Sequence, residues 1–341
     1  MKRKVLIIYT GGTIGMEKDY ESGSLKAFDF STIASRIPEI NLLDCDVTLS
    51  QFSIPLDSSD VGPEHWTAIA KIIEGNYEDY SGFLILHGTD TMAYTASALS
   101  FMLKGLRKPV ILTGSQLPIG DLRTDAKENL LTSLYYASFY DGDEAVIQEV
   151  ALYFEYKLLR GNRCIKASAE NFDAFKTPNY PILGQSGVNL EADRNILYRA
   201  PKDEEFNVDL HISKKVFLIW IFPGMNLNEL ESFIKASEIK VLILRVFGSG
   251  TFFSDKNIEN ILLNIRANGT EIVIISQCIS GEISIGKYDN SNIFKRIGAI
   301  SGGDLTAESA LTKAMHLIEN PHYTESFGTL FQKNLRGEMS N

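Results

Sequence analysis

Three short polar loops carry the residue types that could do chemistry in this chain. Thr10-Gly11-Gly12-Thr13-Ile14-Gly15 follows the apolar run Val5–Tyr9, Asp57-Ser58-Ser59-Asp60 follows a strand-like stretch near 46–52, and Gly88-Thr89-Asp90-Thr91 follows Phe83–His87. Between them they offer hydroxyls, carboxylates and backbone N–H groups, so a hydroxyl nucleophile is the chemistry to weigh. Taken singly, each also reads as a tight turn or a polar cap on the next helix. No histidine is framed as a general base: His65 and His316 fall on helical patterns, His87 ends an apolar run, and His211 and His322 sit in polar connections. A hydroxyl nucleophile then needs another activator, and a lysine with a lowered pKa is one such base. Lys166, beyond the strand-like stretch 150–156, is the candidate; a lone lysine is otherwise an ordinary solvated surface charge.

What positions these loops is a repeated unit of apolar strand, polar loop and helix. Asp57-Ser58-Ser59-Asp60 leads to Pro63 and a helical pattern through Ile73, and Gly88-Thr89-Asp90-Thr91 leads to one over 92–99. A third unit runs from Pro109–Leu112 through Thr113-Gly114-Ser115-Gln116-Leu117-Pro118 to a helix over about 124–139. Such alternation predicts a doubly wound, mostly parallel sheet with helices on both faces, so that loops following the strands share one edge and one crevice. Periodicity lapses over 188–212, which reads as a linker between a larger N-terminal α/β domain, 1–187, and a smaller C-terminal α/β domain, 213–341. The second domain has apolar strands at 216–221, 241–246 and 272–275, with helices between them. Both domains are expected to be three-layer α/β/α.

Composition limits the partners. With 33 basic and 43 acidic residues among 341, net −10, and no basic block, neither nucleic acid nor an anionic membrane is expected, and a small molecule fits better. The basic start Met1-Lys2-Arg3-Lys4 imitates a signal peptide, but its apolar part breaks at Thr10-Gly11-Gly12, and no run is long enough to span a bilayer. Cys45, Cys164 and Cys278 are far apart and lack CxxC spacing, which predicts a reducing compartment, no disulfide framework and no metal site.

Together, Thr10–Gly15, Asp57–Asp60, His87–Met92, Thr113–Gln116, Arg160-Gly161-Asn162-Arg163-Cys164-Ile165-Lys166 and Gly302-Gly303-Asp304-Leu305-Thr306 resemble the L-asparaginase family, in its type I, cytoplasmic-type branch. The resemblance runs over essentially the whole chain. It implies hydrolysis of the side-chain amide of L-asparagine to aspartate and ammonia, without a cofactor. Thr13 would be the nucleophile that becomes acylated; Thr89, Asp90 and Lys166 would form a relay with Lys166 near neutral. Backbone N–H groups near Thr89 and Ser115 would hold the oxyanion. Asp90 would also take the substrate's ammonium, and the Asp57-Ser58-Ser59 turn its carboxylate. Many members carry a tyrosine in the loop after the first glycine motif. The equivalent place here reads Gly23-Ser24-Leu25, so Tyr20, Ser24 or a water is expected in that role. Some type I members bind asparagine at a second, allosteric pocket, and Arg245 and Cys278 match its positions. Ile165 stands where a threonine is used there, which implies hyperbolic kinetics. The resemblance further implies a homodimer or homotetramer and a cytoplasmic location.

Three other functions compete. The amidase subunit of a tRNA-dependent amidotransferase resembles this family but usually carries an extra N-terminal domain, whereas the first strand here starts at Val5, and the acidic charge disfavours tRNA. A non-catalytic amino-acid sensor would have lost a reactive group, yet Thr13, Thr89, Asp90 and Lys166 are all present. A dinucleotide-binding enzyme needs GxGxxG spacing, which Thr10-Gly11-Gly12-Thr13 lacks.

Overall fold

The computed structural model describes residues 2–18, 25–27, 37–286 and 291–340. Two compact units divide the chain, Met1–Leu210 and His211–Asn341. In the first, the apolar runs become strands β1 (Arg3–Gly11), β2 (Cys45–Leu56), β3 (Gly82–Leu86), β4 (Val110–Thr113) and β5 (Val150–Phe154). Helices α1 (Pro63–Asn76), α2 (Met92–Met102) and α3 (Ala126–Ala137) connect β2 to β3, β3 to β4 and β4 to β5. Pro63 opens α1 because the first helical position needs no N–H and favours its fixed φ.

The five strands pair in parallel in the order β2-β1-β3-β4-β5, with β1 between β2 and β3. Strand order therefore reverses at β1, and the crevice at that reversal lies beyond the carboxyl ends of β1 and β3. Every residue of β3 and β4 is buried, as expected of strands covered on both faces. Val5, Ile7, Tyr9, Leu84, Leu86 and Ile111 pack with Ala126, Leu130 and Leu134 of α3 on one face. On the other face His87 bonds Thr95 of α2, which also bonds Trp66 of α1. Strand order moves the same way from β3 to β4 to β5 while α2 and α3 take opposite faces, so those two crossovers have opposite hands. One of them departs from the usual right-handed rule.

Beyond β5 the sheet turns antiparallel. The expected strand 150–156 closes instead as a two-residue hairpin at Glu155 (φ 43°) and Tyr156 (φ 65°), and β6 (Lys157–Arg160) returns beside β5. Strands β7 (Gly184–Ser186) and β8 (Leu190–Ala192) extend the same sheet. This corrects the reading of 188–212 as a linker: most of it belongs to the first unit. Asn207–Val208 pairs with Leu103–Lys104, Asp209 accepts a 2.8 Å ion pair from Lys104, and Arg107 donates to the Ala200 carbonyl. An edge strand has one face in water, so its sequence need not be apolar.

The second unit has four parallel strands in chain order, β9 (Val216–Trp220), β10 (Val241–Val246), β11 (Glu271–Ser276) and β12 (Ile300–Ser301). Helices α4 (Asn228–Ala236) and α5 (Lys256–Ala267) cover Leu242, Leu244, Ile272 and Ile274. Helix α6 (Ala307–Leu317) covers Val241, Ile243, Val273 and Ile275 on the opposite face. Both units are thus three-layered, with alternate strand residues feeding the two faces. Among the described residues, no helix is long and apolar enough to cross a membrane.

Candidate active site

The first loop is pinned by backbone. Gly11 abuts Leu56 at the end of β2, the Gly12 N–H donates to the Leu56 carbonyl at 3.1 Å, and Thr10 Oγ1 donates to the Leu86 carbonyl at 2.9 Å. Gly12 has φ 86°, and a Cβ there would sit 2.5 Å from the Gly88 nitrogen. Gly88 in turn lies against Ser58, since a Cβ on it would be 2.7 Å from the Ser58 Cβ and Oγ. Glycine is required at both places because three chains meet there without room for side chains. The loops after β1, β2 and β3 therefore converge at the switch point, as the sequence pattern implied. Thr13 opens a 3-10 turn over Thr13–Gly15 and is partly exposed. Its hydroxyl has no hydrogen-bond partner among the described residues.

Lys166 lies in a two-residue strand, Ile165–Lys166, paired with Phe175–Lys176. Its Nζ donates to Thr89 Oγ1 at 2.8 Å and to Asp90 Oδ1 at 2.6 Å. The Lys166 side chain is 16% exposed and that of Asp90 67%, so the pair is not fully buried. Thr89, 9% exposed, lies below it. Among the described residues the N–H groups of Thr89 and Ser115 have no acceptor, although both residues are buried. Buried N–H groups are nearly always paired, so two open ones on converging loops mark a place for a ligand oxygen.

The remaining expected residues divide. The Ser59 N–H and hydroxyl both donate to Asp57 Oδ1 at 2.9 Å, and the bond from the Ser59 N–H is the main cause that lowers the Asp57 pKa. Both Ser59 donors are thereby committed within the turn, whereas buried Ser58 keeps its hydroxyl beside Gly88. The Ser115 hydroxyl donates to the Leu117 carbonyl at 2.6 Å, so this residue offers its backbone. Tyr20 and Ser24 lie outside the described residues. In the second unit, the Arg245 guanidinium stacks 4.0 Å above Trp220 and its Nε donates to the Ser276 carbonyl, while the Cys278 N–H donates to Ser276 Oγ at 2.9 Å.

Two supports escaped the sequence reading. Buried Asp125 accepts from the Gln116 N–H at 2.9 Å and the Leu117 N–H at 3.1 Å, and burial raises its pKa. Asn129 Nδ2 donates to the Gly114 carbonyl at 3.0 Å. Together they fix the loop after β4. An asparagine on the buried face of α3 was the signal available. His87 behaves as expected of a structural histidine: its Nδ1–H donates to the Gly88 carbonyl, Thr95 donates to Nε2, and burial lowers its pKa to about 4. No group of three or more His, Cys, Asp or Glu residues among those described could hold a metal ion.

The fold and this cluster define a doubly wound α/β protein with a hydroxyl, lysine and carboxylate site at its switch point. Residues 4–198 match the family model Asparaginase, N-terminal, and residues 215–331 match Glutaminase/Asparaginase C-terminal domain. The chain is 39% identical to L-asparaginase 1 of Escherichia coli strain K12, over 99% of this chain and 98% of that protein. The crystal structure of L-asparaginase I from Vibrio cholerae superposes with a TM-score of 0.88 at 36% identity, covering 100% of each chain. A glutamyl-tRNA(Gln) amidotransferase subunit of Aeropyrum pernix is 35% identical, over 99% of this chain and 80% of that protein. The chain belongs to the asparaginase family.

Proposed function

We propose that the protein hydrolyses the side-chain amide of L-asparagine through a threonine acyl-enzyme. The observation that carries this reading is the pair of N–H groups at Thr89 and Ser115, open among the described residues, beside the loop that presents the Thr13 hydroxyl. Thr13 Oγ1 attacks the amide carbonyl, the two N–H groups receive the oxyanion, and the Thr13 proton is passed to the leaving nitrogen so that the C–N bond breaks and ammonia departs; water then attacks the ester, returns a proton to Thr13 Oγ1 and frees aspartate. Each oxyanion donor contributes about 3 kcal/mol. Thr89 and Lys166 form the proton relay, supported by their 2.8 Å contact. Asp90 Oδ1 holds Lys166, and its second oxygen takes the substrate's α-ammonium. Ser58 serves the α-carboxylate, with Asp57 bracing the turn through Ser59.

The test is ammonia release from L-asparagine, L-glutamine and D-asparagine; no release from any of them overturns the reading. The likeness to the Aeropyrum pernix amidotransferase supports a second reading, in which the ammonia feeds a partner acting on charged tRNA. Its distinguishing result is ammonia release that depends on that partner and tRNA. Net charge −10 and the full-length likeness to L-asparaginase 1 favour the free hydrolase. We also infer a homodimer or homotetramer, supported by the exposure of Trp220, Phe222 and Ile279; a monomer by light scattering overturns this. A cytoplasmic setting accords with free Cys45, Cys164 and Cys278.

A further inference from the structure

Thr89 has one hydroxyl proton, and Lys166 Nζ already donates to its oxygen at 2.8 Å. The proton must therefore go elsewhere, and Gln116 Oε1 accepts it at 3.3 Å. The side-chain amide of Gln116 cannot be flipped, because its Nε2 donates to the Asn171 carbonyl at 3.0 Å and the Ala169 carbonyl at 3.4 Å. Both are pure acceptors, so they fix the NH2 group and leave the oxygen facing Thr89. The backbone of Gln116 is held as firmly, since its N–H donates to both oxygens of buried Asp125. Ser168 Oγ accepts from the N–H groups of Glu170 and Asn171, which shapes the segment that Gln116 grips. That segment directly follows Lys166. One side chain thus ties the loop after β4, the hydroxyl of Thr89 and the strand carrying Lys166.

We propose that Gln116 is a positioning residue for the reaction: it sets the direction of the Thr89 hydroxyl, turning the Thr89 lone pair toward Lys166. This rests on the relay of Thr89 and Lys166 proposed above. Gln116 does not touch the reacting atoms; it acts through Thr89. Charged groups around it are Lys166 and Asp90 across Thr89, Asp125 beneath its backbone, and Glu170 and Asp173 on or beside the gripped segment.

The test compares ammonia release by the full-length parent, Gln116→Leu and Gln116→Glu on L-asparagine between about pH 5 and pH 8. Gln116→Leu is expected to lower kcat about tenfold, with KM changed less than about twofold, because it removes the oriented bond from Thr89 together with the two Nε2 bonds that aim it. Gln116→Glu keeps an acceptor toward Thr89 in both ionisation states, but only its protonated form can also donate to the Asn171 carbonyl and keep that acceptor aimed. Its kcat relative to the parent is expected to rise as pH falls while KM stays within about twofold, because the ionised form loses the grip that aims its oxygen at Thr89; a merely structural loosening of the loops would move KM as well. At each pH the ratio is taken per folded molecule of variant and parent, so lower stability does not obscure it. Parent-like kcat in Gln116→Leu together with a pH-independent ratio for Gln116→Glu overturns the proposal. A parent that releases no ammonia overturns the hydrolase reading itself, and the role of Gln116 with it.

Discussion

The two units each contain a parallel sheet whose strands run into loops and helices, yet their carboxyl edges differ. In the first, β2 and β3 lie on opposite sides of β1, and the loops that leave them meet over Gly12, Gly88 and Ser58. Open donors collect there. In the second, β9 to β12 follow chain order without a reversal, and the groups at the edge serve their own unit: Arg245 stacks on Trp220 and bonds the Ser276 carbonyl. The difference teaches that a parallel sheet alone does not make this site; a reversal of strand order opens the crevice in which distant loops can face one ligand.

Substitutions in the two units can break that comparison. Thr13→Ala removes the proposed nucleophile and is expected to lower kcat by about 10⁴-fold with the fold intact by circular dichroism. Retained turnover would move the chemistry off the first edge. The second unit should answer in stability instead. Lys313 and Glu338 form a fully buried ion pair, and Glu338 also accepts from the N–H groups of Leu335 and Arg336. Lys313→Met strands that carboxylate and is expected to cost about 3–5 kcal/mol in denaturant unfolding, with kcat per folded molecule unchanged.

His87 sharpens the contrast within the first unit, being next to the site but structural. Its pKa in the fold, about 4, lies below the ordinary 6.5, so protonation favours the unfolded chain. Its contribution to stability is complete above about pH 6.5 and declines as pH falls toward about 4, by up to about 3 kcal/mol. His87→Gln should flatten that part of the pH–stability curve; an unchanged slope would show that His87 is not its source. The smallest effect concerns the second edge. Hyperbolic kinetics are expected, with Arg245→Ala changing kcat less than about twofold, and a Hill coefficient clearly above one would assign that edge a regulatory ligand.

Much of the fold was legible because buried parallel strands are apolar runs. Val5–Tyr9, Phe83–Leu86 and Val110–Leu112 all became strands, and Pro63 marked a helix start as its fixed φ and missing N–H favour. The antiparallel extension was not legible. Its hairpin turns through Glu155 and Tyr156, neither the Gly nor the Asn that usually signals φ > 0, and the Glu155 N–H is held by Asn129, which lies 26 residues away in the chain. The polar strand β8 likewise read as part of a linker because one face meets water.

By itself the sequence determined the repeated strand, loop and helix units, and it singled out Thr13, Thr89 and Lys166 as candidates. These depend on residue type and local period, which the chain carries everywhere. Only the tertiary structure decided which donors remain open. It committed Ser59 to Asp57, Ser115 Oγ to Leu117 and Gln116 to Thr89, and among the described residues it gave the Thr89 and Ser115 N–H groups no acceptor. Each hydrogen-bonding group has few valences, and whether a neighbour from a distant strand fills them is set by packing, which no local pattern records.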